Sequence, residues 1–353
     1  MFGNRINGFL GISGGSGGGG GGSSIIVLGT GTSSTNRCGV NNVASGNFSG
    51  ALSGTYNTAS CNYSFVGGGN SNTACGIGSV MGGGNGNGAI GDYSFIGGGD
   101  GNCSEGIKSA IGGGEGNSTC GSHATVSGGF INSAIGNNSF VGGGKNNIAS
   151  CDNSTVGGGL SNTASGSYST ISGGCQNTAS AKYSTISGGI SNNASNDYSF
   201  VGGGISNSVS NTYSFVGGGK GNIASGAEGS TISGGVTNTA SGLKSTIGGG
   251  NGNIANAEYT TIGGGLSNTA SGYGSAIFAG TNNSALSCYS FIAGGNGNTT
   301  STYDCAFIIG SGITANRCCT TFVNNLSIMN IPTSSLGLPP NSVWSNLGIL
   351  TIT

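Results

Sequence analysis

Proline is nearly missing from this chain: Pro332, Pro339 and Pro340 are the only three, and none occurs before them. That excludes a collagen-like triple helix, as does the failure of glycine to fall at every third position. Charge is equally scarce, at 5% of residues, with eight basic side chains against nine acidic ones for a formal charge of −1. A chain so neutral has no field to draw nucleic acid or an anionic membrane. No run approaches the ~20 apolar residues of a membrane helix. The segment from Met1 through Arg5 leads into glycines rather than a secretory signal. His123 is the single histidine, so no intrachain set of histidines can hold a metal. The eleven cysteines are an odd number without zinc-knuckle spacing, and read mostly as reduced thiols serving as small apolar side chains.

What remains is glycine, with 81 residues, together with serine and asparagine. Such a composition also fits a flexible linker. Periodicity decides against that for most of the chain. Asparagine recurs at every fifteenth position, at Asn42, Asn57 and Asn72, through Asn162 and Asn177, to Asn222. After one extra residue it resumes at Asn238 and ends at Asn298, giving 18 coils without a substitution. A small residue follows two positions later, as at Ala164. A second ladder is aliphatic and includes Val66, Ile96, Ile171 and Ile262. Two residues beyond each aliphatic stands a glycine such as Gly68, with Ala279 the one departure.

A disordered linker has no reason to hold this register, whereas in a stacked solenoid each position repeats one task every turn. The Tyr-Ser-Phe-Val runs predict a strand of four or five residues, the Gly-Gly-Gly that follows predicts a turn, and Asn-Thr-Ala-Ser predicts a second short strand. A coil this short leaves no room for a helix, so the expected fold is all-β, a stacked β-solenoid. The asparagine amide can bond its own backbone and the next coil. Alanine permits close approach of strands, and the aliphatic ladder fills the core. With only two or three apolar positions per coil, burial at ~25 cal/mol per Å² is set against roughly 1–2 kcal/mol of backbone entropy per ordered residue. Association of chains is therefore expected. At ~4.8 Å per coil the rod is on the order of 85 Å long.

Candidate chemistry is sparse. His123 takes a slot held by tyrosine in other coils. Gly-x-Gly-x-x-Gly matches lack an α/β context and a Walker lysine. Asp100 occupies one turn, but other residue types fill that slot elsewhere, against regular calcium loading. Asp92 and Glu105, in adjacent coils, are the nearest thing to a glycosidase pair. No catalytic residue, cofactor or metal is expected. Tyr168, Tyr183, Tyr198 and Tyr213 recur in consecutive coils as a candidate sugar-binding stripe, or as stabilising cross-strand pairs. The Thr155–Thr170–Thr185 ladder raises an ice-binding surface, but phenylalanine interrupts it on both sides.

Units such as Asn162-Thr163-Ala164-Ser165-Gly166-Ser167-Tyr168-Ser169-Thr170-Ile171-Ser172-Gly173-Gly174 resemble the head repeats of trimeric autotransporter adhesins, also found in tail-fibre-like proteins of phages and large viruses. The resemblance covers about residues 36–310. It implies a left-handed parallel β-roll in a homotrimer, and attachment rather than catalysis. The 15-residue unit departs from the usual 14-residue repeat of those adhesins. The secretion signal, coiled-coil stalk and membrane anchor of the bacterial proteins are not seen, which directs the expectation to a virion or particle surface.

Four regions are expected. Residues 1–12 form an apolar docking peptide for a larger assembly and 13–24 a glycine-rich flexible linker. Residues 25–310 form the repeat domain. Residues 311–353 form a terminal cap carrying Pro339 and the lone Trp344, similar to short modules of phage tail proteins. The expected function is a structural fibre of a virus or phage, self-associating as a trimer and meeting a host glycan or protein, with no nucleic acid and no membrane insertion. The alternatives are a cell-surface adhesin or extracellular matrix filament, and more distantly a carbohydrate-cleaving spike or an ice-binding solenoid.

Overall fold

The computed structural model describes Val27–Leu28, residues 30–36 and 39–325, and the strands Val343–Asn346 and Ile349–Ile352. Residues 1–12, residues 13–24 and Pro339 lie outside the described residues. The chain is an all-β parallel solenoid of about 19 turns of some 15 residues, with no helix among the described residues.

One coil, residues 166–180, shows why the sequence closes on itself. Thr170–Ile171 is a strand of two residues, and Thr178–Ala179 is another. Between them Cys175 makes a single bridge to Leu160 before it and to Ile190 after it. The coil thus contributes to three parallel ladders, two of paired strands and one of isolated bridges. Three residues turn the chain between ladders, each with positive φ: Tyr168 at 60°, Gly174 at 95° and Gln176 at 56°. Four side chains point inward and are fully buried: Ser169, Ile171, Asn177 and Ala179. The core is therefore half apolar and half polar.

Two expectations are corrected here. The strand expected over four or five residues is two long, because tyrosine occupies a left-handed turn and only the following Thr/Phe-Ile/Val pair is extended. The third ladder was not foreseen, since its residues share no chemistry: Asn70, Asp100, Phe130, Lys145 and Leu160 all occupy it. The bridges themselves are made by backbone groups, so the side chain is free to vary, although Thr55, Asn70, Asn85 and Asp100 also bond side chain to side chain along one stretch.

The first strand ladder runs in parallel from Thr35–Asn36 to Thr321–Val323. Val27–Leu28 lies antiparallel at its start. Parallel pairing thus passes the expected boundary at residue 310, because Thr321–Val323 pairs in register with the strand of the coil before it. The second strand ladder runs from Val43–Ala44 to Ser284–Ala285. The extra residue of the coil after Asn222 falls in the turn of Gly226–Gly229, so Phe215 still pairs with Thr231 and the core ladders keep their alignment. Trp344 lies on an antiparallel hairpin formed by Val343–Asn346 and Ile349–Ile352.

Candidate functional site

The asparagine column is a continuous hydrogen-bonded spine. Asn177 Nδ2 donates to Gly173 O of its own coil at 3.1 Å, to Gly189 O of the next at 2.9 Å and to Asn162 Oδ1 at 3.1 Å. Its Oδ1 accepts the Asn192 N–H at 3.0 Å. The amide therefore links three consecutive coils inside the roll. Asn57, Asn72, Asn162 and Asn298 occupy the same buried place, and Asn42, in an early coil, is half-buried. Val66, Ile96, Ile171 and Ile262 are fully buried, as is Ala164.

The glycine column that sequence singled out is under a looser demand than its neighbour. A Cβ at Gly173 or Gly188 would meet nothing within 4 Å, whereas at Gly68 of the same column it would run into the Ser53 hydroxyl. One residue later, a Cβ at Gly174 would stand 2.2 Å from Gly189 O and 2.7 Å from Asn177 Nδ2, on a backbone that L-residues avoid. This column is glycine in every coil from Gly54 to Gly295. A buried serine column was also missed. Ser169, Ser184 and Ser199 belong to it, and Ala124 and Ala306 substitute for serine. Ser184 Oγ donates to Ala181 O at 2.7 Å, whereas Ser79, Ser94, Ser139, Ser169, Ser199 and Ser245 leave their hydroxyls without a partner. Smallness, not hydrogen bonding, is the shared requirement.

The tyrosine stripe exists and is a stack. Tyr168, Tyr183, Tyr198 and Tyr213 follow one another at centroid distances of 5.1, 5.0 and 5.0 Å, with planes 18–21° apart. Lys182 Nζ lies 5.0 Å from the Tyr183 ring centre. A sugar that packs on an aromatic face needs that face open, and here each interior face meets the next ring. Ring edges are what the stack leaves free.

The scattered carboxylates have a local task. Asp92, Asp152 and Asp197 each accept a backbone N–H from the preceding coil, at 2.8, 2.9 and 3.0 Å. Asn47, Asn62 and Asn137 take the same role in other coils. Glu105, the other half of the candidate glycosidase pair, instead takes a contact of 3.6 Å from the Cys103 thiol. Burial, then the Glu105 charge and hydrogen bond, push that thiol up to about 11. His123 is a left-handed turn residue in the tyrosine column. The cysteines are expected as reduced thiols serving as small apolar side chains: all ten described ones are free, and none is buried. They stand on outward or turn positions, where any small side chain fits.

Charge is confined to particular columns. Every acidic residue, and every lysine, stands in the turn of the tyrosine column, on the bridge ladder or, for Glu105 alone, beside the second strand ladder. The outer face of the first strand ladder, with its flanking glycines, carries none from Gly50 to Val323. Its outward residues are threonine, small residues and half-exposed phenylalanines, including Phe95 and Phe140. Phe200 and Phe215 stack at 5.2 Å, and Phe278 is 69% exposed. Phe140 pairs with Thr155 and Phe200 with Thr185, so the threonine ladder is bounded at both ends.

No known protein-family model matches the chain, and no curated protein matches it in sequence.

Proposed function

We propose that this protein is a rigid shaft or head segment of an attachment fibre on a virus or phage particle, working as a homotrimer. One observation carries the reading: a rod with a face that carries no acidic residue or lysine from Gly50 to Val323, edged by charged turns. A strip about 10 Å wide along ~85 Å offers on the order of 850 Å² for burial about the trimer axis, divided between the two neighbours each chain meets. Its side chains repeat once per coil, which suits a partner with the same coil rise. Another copy of the chain has that rise by construction. In such a trimer the tyrosine edge stays outward and offers a row of phenol groups to a host glycan or protein.

Light scattering on the purified chain tests the assembly. Three chains of 33.7 kDa give about 101 kDa. Replacing Phe200 and Phe215 together by aspartate is expected to reduce the particle to one chain while the β-sheet circular dichroism persists, because carboxylates buried between copies are left unpaired. The same change at Tyr198 and Tyr213 should leave the trimer intact. A wild-type monomer overturns the assembly; a trimer that survives the phenylalanine change overturns the choice of face.

A further inference from the structure

The last turn of the solenoid sets two cysteines side by side. Phe307 pairs with Thr321, a step one residue shorter than the regular coil, and the shortening carries Cys305 onto Cys319. Both are left-handed, at φ 58° and 51°, like the tyrosines of the same column. Cys319 N–H donates to Asp304 O at 3.0 Å, the link that Tyr183 N–H makes to Ser167 O where the Tyr168 and Tyr183 rings stack. Side chains so placed run alongside each other one coil rise apart, about 4.8 Å, within the usual Cα spacing of a disulfide. Both residues are exposed and free.

We propose that Cys305 and Cys319 are a redox cross-linking site that locks the terminal turn onto the coil before it. The oxidant is a small-molecule disulfide such as oxidised glutathione. One cysteine thiolate attacks it, forming a mixed disulfide and releasing one glutathione thiolate. The second cysteine, after losing its proton, attacks the mixed disulfide, closing the Cys305–Cys319 bond and releasing the second glutathione. Two protein thiols are oxidised and one glutathione disulfide is reduced. Desolvation, with Cys319 and Asp304 as neighbours, holds the Cys305 thiol above its ordinary range, so exchange quickens as pH rises. The bond closes a short loop over the end of the first strand ladder, where Thr321–Val323 has no further parallel partner among the described residues. A free edge of that kind opens and pairs with other chains most readily. In a reducing compartment the turn is held by its ladder alone; in an oxidising one it is stapled.

The site does not depend on the assembly reading. The full chain would be incubated with oxidised glutathione, the remaining thiols trapped, and the product digested without reductant for mass spectrometry. A Cys305–Cys319 linked peptide, lighter by two hydrogens than the separate thiols, is expected. Cleavage within residues 306–318 by an added protease should slow about tenfold on oxidation, since it tracks the population of the open turn. Cys318→Ser should keep the link and Cys305→Ser should lose both link and protection. A bond mapping to Cys318–Cys319, to Cys288, or between chains overturns the proposal. So does the absence of any bond at oxidant levels that oxidise a control dithiol, and so does a link that leaves proteolysis unchanged.

Discussion

Two adjacent glycines of the reference coil differ in kind. At Gly174 a side chain meets the next coil's carbonyl and its own coil's asparagine amide, with φ at 95°. Gly174→Ala is expected to lower stability by at least ~2 kcal/mol, through strain and clash together. Gly173→Ala, with open space around its Cβ, should change it by less than about 0.5 kcal/mol. Urea unfolding of the two variants reads the contrast directly. The buried polar columns divide in the same way. Asn177→Ala deprives the Asn192 N–H and the Gly173 carbonyl of the partners they have, at about 1–3 kcal/mol for a buried group left unpaired. Ser169→Ala removes a hydroxyl that bonds nothing and is expected to be neutral or stabilising in the same titration. An asparagine ladder and a serine ladder look alike as sequence. Only the first is held by hydrogen bonds throughout.

The tyrosine stack shows what a repeated element can and cannot do. Each ring gains about 0.5–1.5 kcal/mol from a neighbour. Each also stands on a left-handed backbone that disfavours an L-residue by roughly 1–2 kcal/mol. These terms oppose each other, so Tyr183→Gly should destabilise by no more than ~1 kcal/mol in chemical unfolding, although it breaks two stacks. A larger loss would mean that the stack carries more of the fold than its exposed place allows. Strand length belongs to this scale too. Periodicity located the strands of the first ladder from Val66 to Ile308, but not Thr35–Asn36, Gly50–Ala51 or Thr321–Val323, and the tyrosine placed in that strand by β-propensity is the corner before it. Aromatic residues favour strands because they pack on a pleated surface. A stack of equivalent corners, one per coil, gives the same packing without a strand.

For the whole molecule, the repeat is the architecture. Each coil bonds mainly to its neighbours, so stability accumulates along the rod rather than about a centre. The four inward side chains per coil, two of them polar, leave little apolar burial for a single chain. The uncharged face is where further burial is available, and the double phenylalanine change tests that at the scale of the particle. A coil lengthened by one residue is tolerated for the same reason. After Asn222 the extra residue sits in a turn, at Gly226–Gly229, and the ladders on either side never lose register.

The sequence alone determined the all-β class, the period of the coil, its stacking and the existence of the asparagine, alanine and aliphatic columns, while the structure turned the asparagine inward. Those follow from identity at a fixed period, because a side chain facing its own copies must satisfy the same contacts every turn. Tertiary structure alone decided which glycine is obligatory, that Asp92, Asp152 and Asp197 cap backbone N–H groups, and that tyrosine faces are spent on one another. It also disclosed the third ladder, made by backbone groups whose side chains are free to differ, and the meeting of Cys305 with Cys319. That meeting depends on a shortened step between coils, which only the pairing of Phe307 with Thr321 fixes. A period announces what repeats. A contact made once, or made by the backbone, leaves no repeating letter and has to be found in space.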